Sequence, residues 1–166
     1  MNALLFTGPR RIEVQNRPVP SLRAGHCLIR VAYLGICGAD AAFYKGSSFY
    51  LKQGLKSYPF IFGREWSGTI VDIAEDVIGF KRGDRVVGHN FATCGVCAMC
   101  RAGRATLCSG HEEIGISGSL YDGAAAEYYL APARTLVQIP ASLDFLDAAL
   151  IEPVTTCGSR NQPGQN

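Results

Sequence analysis

Short runs of alternating or β-branched apolar residues dominate the first two-thirds of the chain. Within residues 27–34 the alternation gives one mostly apolar face, as expected of a strand that lies against a core. Glycine and proline residues that favour turns separate these runs. The pattern predicts strands at residues 2–6, 12–15, 27–34, 69–73, 84–88, 127–130 and 136–139. Many short strands at this spacing predict a barrel or a sandwich.

Helical periodicity appears only late in the chain. Ser142 is the predicted N-cap, and three leucines share one helical face: Leu143, Leu146 and Leu150. Pro153 disfavours helical geometry in the residue before it, so the helix is predicted to end near Ile151. Residues 158–166 lack apolar periodicity and are predicted to form an irregular tail.

Length and composition narrow the class of protein. A chain of 166 residues fits one domain, and 48% hydrophobic with 18% charged residues is ordinary for a globular protein. A formal charge of +2 is too small to indicate binding to nucleic acid or to an anionic membrane. No apolar run approaches the roughly 20 residues that a transmembrane helix needs. The N-terminus lacks a secretory signal, so we expect a cytoplasmic, reducing environment.

Four of the seven cysteines lie close together, spaced Cys94-x2-Cys97-x2-Cys100-x7-Cys108. Disulfides are disfavoured in a reducing compartment, and a dithiol redox pair would not use four cysteines. The bacterial iron–sulfur pattern ends in a three-residue gap before a Cys-Pro pair, which differs from the long gap here. Four thiolates on one loop can enclose a tetrahedral zinc ion, and Gly95 and Gly103 allow the backbone to turn inward. Structural zinc is the favoured interpretation, with disulfides or unligated thiols as the alternatives.

Five further segments, taken with the cysteines, resemble the zinc-dependent medium-chain dehydrogenase/reductase family of alcohol and polyol dehydrogenases. They occur in the family's order: GICGAD at 35–40, FGREWSG at 62–68, GDRV at 83–86, DGAAAEY at 122–128 and AALIEP at 148–153. The resemblance implies a mainly β, GroES-like, partly open barrel over residues 1–157, with a zinc-binding loop and few short helices. No G-x-G-x-x-G fingerprint follows a strand, so the family's NAD(P)-binding Rossmann domain is predicted to be absent.

The resemblance also implies where a catalytic zinc would bind. Its ligands would fall at Cys37, at Arg64 in place of histidine, and at Glu152, with Glu65 adjacent. Guanidinium offers no lone pair to a metal, and Ala39 replaces the hydroxyl residue that relays a proton in the family. Cys37, Glu65 and Glu152 could hold zinc weakly. Alternatively, Arg64 replaces the ion and pairs with these same groups.

The sequence is consistent with three functions. The first is the zinc-binding N-terminal domain of an NAD(P)-dependent alcohol or polyol dehydrogenase, acting in the parent enzyme on a small alcohol, a sugar or an aminocyclitol. Truncated in this way, the chain is expected to have little activity alone. The second is a non-enzymatic zinc-stabilised domain for binding or homo-oligomerisation. The third is a zinc-independent reductase of the same superfamily that lacks its cofactor half.

Overall fold

A computed structural model describes residues 1–104, 107–114 and 122–159. Ten strands are β1 Asn2–Gly8, β2 Arg11–Asn16, β3 His26–Gly35, β4 Phe60–Ile61, β5 Glu65–Ile73, β6 Arg85–Gly88, β7 Phe91–Ala92, β8 Glu112–Glu113, β9 Tyr128–Pro132 and β10 Leu136–Gln138. Five short helices are α1 Gly38–Lys45, α2 Phe49–Lys52, α3 Ala98–Arg101, α4 Phe145–Ala148 and α5 Ile151–Ser159. None of the helices in these ranges has the length and hydrophobicity required of a membrane span.

The strands form three antiparallel sheets. The largest has the order β10-β6-β5-β3-β9, a second has the order β2-β1-β4, and β7 pairs with β8 alone. The five-stranded sheet ends at β10 on one side and β9 on the other, so it does not close on itself. The fold is therefore mainly β and partly open, which confirms the predicted class.

Two large apolar clusters hold the sheets together, and a smaller third cluster packs α4 against β6. One lies on the large sheet and includes Cys27, Ile29 and Trp66, which are at most 3% exposed. The other is rich in phenylalanine and joins β1, β4 and α1 through Phe6, Phe43 and other aromatic rings. Burial of these rings stabilises the fold, because aromatic side chains carry large apolar areas.

Strand β3 shows how the predicted alternation is modified by the fold. Cys27 and Ile29 face the core, whereas Arg30 is exposed. The register against β5 shifts between Val31 and Tyr33, which marks a β-bulge. Beyond that bulge Leu34 also packs against the core, although simple alternation places it on the opposite face from Ile29.

The late helix differs from its prediction. Asp144, rather than Ser142, is the N-cap of α4, and its carboxylate accepts a hydrogen bond from the backbone N–H of Asp147 at 2.7 Å. Leu146 and Leu150 are more than half exposed, while Ala148 is buried.

The predicted helix ends at Ala148, near the predicted Ile151, but the expectation that Pro153 keeps Glu152 out of helical geometry is wrong. A separate helix, α5, begins at Ile151 and includes Pro153. Proline is tolerated there because the first-turn N–H groups of a helix have no intrahelical partner. Helix α5 also contains the first two residues of the predicted irregular tail, whose remainder lies outside the described residues.

Candidate functional site

The four clustered cysteines lie on one loop, which we call the cysteine lobe (residues 93–111). The lobe begins after β7, contains α3, and ends where β8 begins. Gly95 and Gly103 have φ values of +75° and +73°, the left-handed conformation that glycine adopts without a steric penalty. These two turns direct the cysteines toward a common centre.

The sulfur atoms of the lobe are placed for a shared metal ion. The Sγ atoms of Cys94, Cys97, Cys100 and Cys108 all lie within 4.8 Å of one another. The Cys94–Cys100 sulfur distance is 3.9 Å, and tetrahedral zinc with Zn–S bonds near 2.3 Å requires about 3.8 Å. Among the described residues, this is the one group of three or more His, Cys, Asp or Glu with donor atoms so close. The lobe could therefore hold a metal ion with four sulfur ligands.

Backbone amides direct hydrogen bonds at these sulfurs. The N–H groups of Cys97 and Cys100 donate to Cys94 Sγ and Cys97 Sγ, each at 3.4 Å. Hydrogen bonds from Val96 and Cys97 N–H lower the pKa of Cys94 to about 6, whereas desolvation and the hydrogen bond with Cys97 raise the pKa of Cys100 to about 11. Neighbouring thiols do not all ionise together, because their negative charges repel one another. A bound cation offsets this repulsion and stabilises all four thiolates.

A second cluster forms where β3, α1, β5 and α5 meet. Cys37 precedes α1 as its N-cap, and Glu65 begins β5 directly opposite Gly35 at the end of β3. Glu152 lies in the first turn of α5, which packs against β5. Arg64, half-buried, immediately precedes β5. The fold thus brings these four residues together, although they are far apart in sequence.

Arg64 is at the centre of this cluster. Burial alone would lower the pKa of its guanidinium, but the interaction with Cys37 and the charges of Glu152 and Glu113 outweigh burial and raise the pKa. Arg64 Nε is buried and has no hydrogen-bond partner among the described residues. The cluster therefore holds a permanent cation with one N–H still unsatisfied.

The carboxylates around Arg64 are partly desolvated. Glu65 is 7% exposed, and burial, followed by the charge of Glu152, raises its pKa despite the opposing effect of Arg64. Burial likewise raises the pKa of the Cys37 thiol. Asp40, buried in α1, accepts a hydrogen bond from Cys37 N–H at 2.9 Å and fixes the start of the helix.

Two residues near this cluster were not singled out as site residues from the sequence. Tyr50 in α2 donates a hydrogen bond from its hydroxyl to Glu113 Oε2 at 2.7 Å. The negative charge of Glu113 in turn helps to raise the pKa of Arg64. Glu113 follows the last cysteine of the lobe, Cys108, by five positions, but no spacing rule connects it to Arg64. Asp40, in contrast, could be predicted from the sequence as part of a helix start, because an acidic residue three positions after an N-cap is typical there. Ala39 packs its methyl group against the aromatic cluster and offers no hydroxyl.

Residues 23–141 match the alcohol dehydrogenase GroES-like domain family. The chain belongs to this family. It corresponds to the N-terminal domain of medium-chain dehydrogenases/reductases, as the sequence motifs implied.

Sequence relatives cover nearly all of this GroES-like domain. L-threonine 3-dehydrogenase of Shewanella frigidimarina is 38% identical over 154 residues, which are 92% of this chain and 44% of that protein. Sorbitol dehydrogenase of Halalkalibacterium halodurans is 35% identical over 157 residues, 93% of this chain and 43% of that protein.

Solved structures share the fold. The short chain alcohol dehydrogenase RspB of Escherichia coli CFT073, complexed with the cofactor NADH, has a TM-score of 0.83 at 29% identity and matches 100% of this chain and 47% of its own. This GroES-like domain therefore spans less than half the length of the relatives it matches.

Proposed function

We propose that residues 1–157 are the catalytic domain of an NAD(P)-dependent dehydrogenase or reductase of small alcohols or polyols. In this proposal the cysteine lobe holds one structural zinc ion, and the substrate site is built around Arg64 rather than around a catalytic zinc. The observation that carries the proposal is the buried Arg64 Nε, which has no hydrogen-bond partner among the described residues and lies where Glu65 begins β5 opposite Gly35, close to Cys37. The nicotinamide cofactor, which exchanges hydride with the substrate carbon, is assigned to a nucleotide-binding domain outside these residues.

The cysteine lobe fits zinc because it supplies four thiolates and leaves no coordination position for a substrate. Its zinc would hold the loop and take no part in the reaction. The Arg64 cluster, in contrast, does not fit a zinc ion. A guanidinium cannot act as a ligand, and its positive charge repels a second cation from the neighbouring Cys37.

Arg64 can act on the oxygen atom of the substrate. A buried N–H without an acceptor costs about 1–3 kcal/mol, and a substrate hydroxyl or carbonyl oxygen would supply the acceptor that Nε lacks. The guanidinium would also stabilise negative charge as it develops on that oxygen, and removing one such donor typically costs about 100- to 1000-fold in kcat. Arg64 is therefore the proposed anchor of the reacting oxygen.

The charge around Arg64 narrows the substrate class. Three carboxylates interact electrostatically with this single guanidinium: Glu65, Glu113 and Glu152. A fourth carboxylate, Asp40, repels the negative charge of Glu65. A site with this excess of carboxylates repels phosphate esters and attracts neutral or positively charged molecules. Neutral polyols, sugars and aminocyclitols fit this requirement.

Binding of a polyol is expected to shift the Arg64 Nε–H resonance in the full chain labelled with 15N-arginine, because the substrate oxygen supplies a new acceptor. Sorbitol and glucosamine are the probes, and glucose 6-phosphate is the anionic control that should leave the signal in place. The resonance is identified by its loss in Arg64→Lys. An unmoved Arg64 signal at saturating probe solubility, or a shift at the exposed Arg82 instead, would contradict the proposed site.

Changing Arg64 to histidine is expected to raise the zinc content of the purified chain from about one to about two ions per chain, because imidazole completes a ligand set with Cys37 and Glu152. Elemental analysis by mass spectrometry measures the content. Arg82→His, at a surface arginine that pairs with Asp72, serves as the matched control and should keep one ion. Two zinc ions in the unmodified chain would show that Arg64 does not replace the metal.

A further inference from the structure

We propose that the cavity between the cysteine lobe and strand β10 is a second binding site, and that it takes a small carboxylate with an apolar body. The cavity has a volume of about 410 Å³, which lies in the usual range for small-molecule sites, roughly 300–1,000 Å³. Its lining includes three basic and three apolar side chains: His89, His111, Arg134, Phe91, Leu136 and Val137. None of them is a cysteine of the lobe or a member of the Arg64 cluster, so this site is separate from the one proposed above.

Backbone contacts join the two sides of the cavity. His89 directly follows β6, and its N–H donates to the carbonyl of Thr135 at 2.8 Å, next to the start of β10. On the side of the lobe, Arg134 Nε donates to the carbonyl of Thr93 at 2.5 Å. The cavity is therefore a defined part of the fold, with the lobe tied to the turn that precedes β10.

Arg134 supplies the charge that selects the ligand. Because its Nε–H already binds Thr93, the guanidinium is fixed at one end, and its two terminal NH2 groups have no hydrogen bond or ion pair with any described residue. Such a guanidinium can bind a carboxylate through paired, charge-assisted hydrogen bonds. None of the described lining residues carries a carboxylate that would compete for it. The charge of the cavity therefore favours an anion.

The two histidines add further polar atoms. The N–H of Phe91 donates to His89 Nδ1 at 3.1 Å, so the neutral imidazole of His89 carries its proton on Nε2 and can donate it. His111 Nδ1 lies 2.6 Å from a backbone carbonyl oxygen, and its Nε2 makes no hydrogen bond within the described residues. A ligand that enters the cavity therefore meets polar atoms from both the lobe and the large sheet.

The apolar part of the lining favours an organic anion over an inorganic one. Phe91 lies between the two imidazoles, with ring centroids 5.6 Å from His89 and 6.0 Å from His111. Leu136 is 7% exposed and Val137 is 57% exposed, so the apolar lining extends from the buried interior to the surface. A ring or a short hydrocarbon chain would remove this surface from water, whereas inorganic phosphate would leave it uncovered.

Binding of 4-fluorobenzoate to the full, zinc-loaded chain, measured by 19F NMR, tests the proposal. The neutral analogue 4-fluorobenzyl alcohol should bind at least about tenfold more weakly than 4-fluorobenzoate. Arg134→Gln should weaken binding of 4-fluorobenzoate about 10- to 100-fold, as expected when a hydrogen bond to a charged group is lost. Val137→Glu, which adds a negative charge at an exposed position of the lining, should weaken it about tenfold. The matched controls are Arg82→Gln, at the surface arginine used above, and Val154→Glu, at a valine that is 63% exposed, and both should bind as the unmodified chain does.

Arg134→Gln also removes the hydrogen bond to Thr93, so Val137→Glu decides if that variant fails to fold, and undiminished binding there overturns the proposal. Equal affinity for the alcohol would overturn recognition of the carboxylate. Displacement of 4-fluorobenzoate by an equal concentration of inorganic phosphate would overturn the role of the apolar lining. A shift of the Arg64 Nε–H resonance on addition of 4-fluorobenzoate would place the anion in the other site and overturn the assignment to this cavity.

Discussion

Cys97→Ser is expected to abolish metal binding by the lobe and to destabilise the chain. A ligand that binds only the folded state adds about 4 kcal/mol of stability when its free concentration is a thousand times its Kd. The variant keeps three thiolates at the site, but a hydroxyl is a poor substitute for a thiolate and leaves zinc with an incomplete tetrahedral set. Loss of most of this free energy is therefore the expected result.

Chemical denaturation measured with and without a chelator distinguishes this mechanism from simple loss of packing. The unmodified chain should lose stability when the chelator is added, whereas Cys97→Ser should start at the lower value and not respond. Met99→Ser is the matched control, because Met99 lies in α3 of the same lobe but is not a ligand. Equal zinc content in Cys97→Ser and Met99→Ser would exclude the four-cysteine site.

Much of the fold could be predicted because its signals are local. Alternation of apolar residues located all seven predicted strands, with end points that differ from the observed ones by a few residues. The two-residue strands β4, β7 and β8 were missed, because a run of two residues contains no period. The cysteine lobe was predicted from spacing, since its ligands lie on one loop and their approach needs no knowledge of the rest of the fold.

The second cluster was predictable only in part. The resemblance implied Cys37, Arg64, Glu65 and Glu152, and the structure brings them together around Arg64. Nothing in the sequence indicates that Tyr50 and Glu113 join the same charge network, because their approach depends on how α2 and β8 pack. Trp66 illustrates the reverse case. An aromatic residue next to Glu65 suggests the lining of a cleft, yet Trp66 is 3% exposed and packs edge-on against Tyr129 with centroids 5.2 Å apart.

The motifs FGREWSG at 62–68 and DGAAAEY at 122–128 are joined by backbone hydrogen bonds into one structural unit. The backbone N–H groups of Gly123, Ala124 and Ala125 donate to the carbonyls of Ile61, Gly63 and Phe62 at 2.8–2.9 Å. The segment that contains Gly123 therefore holds the backbone that presents Arg64 and leads into β5. A glycine is required at this contact because a Cβ atom on residue 123 would lie 2.1 Å from the carbonyl oxygen of Phe62.

Gly123→Ala is accordingly expected to lower the free energy of unfolding by about 3–5 kcal/mol, since the clash is with backbone atoms that no change of rotamer can relieve. Denaturant unfolding of the zinc-loaded chain measures the loss. Gly8→Ala is the control, because a Cβ there meets only Arg11 Cδ at an ordinary 3.7 Å. A loss below that of the control would show that the 61–63 and 123–125 segments move apart easily. If the variant retains zinc but loses the polyol response of Arg64, the Gly123 contact positions the guanidinium independently of the lobe.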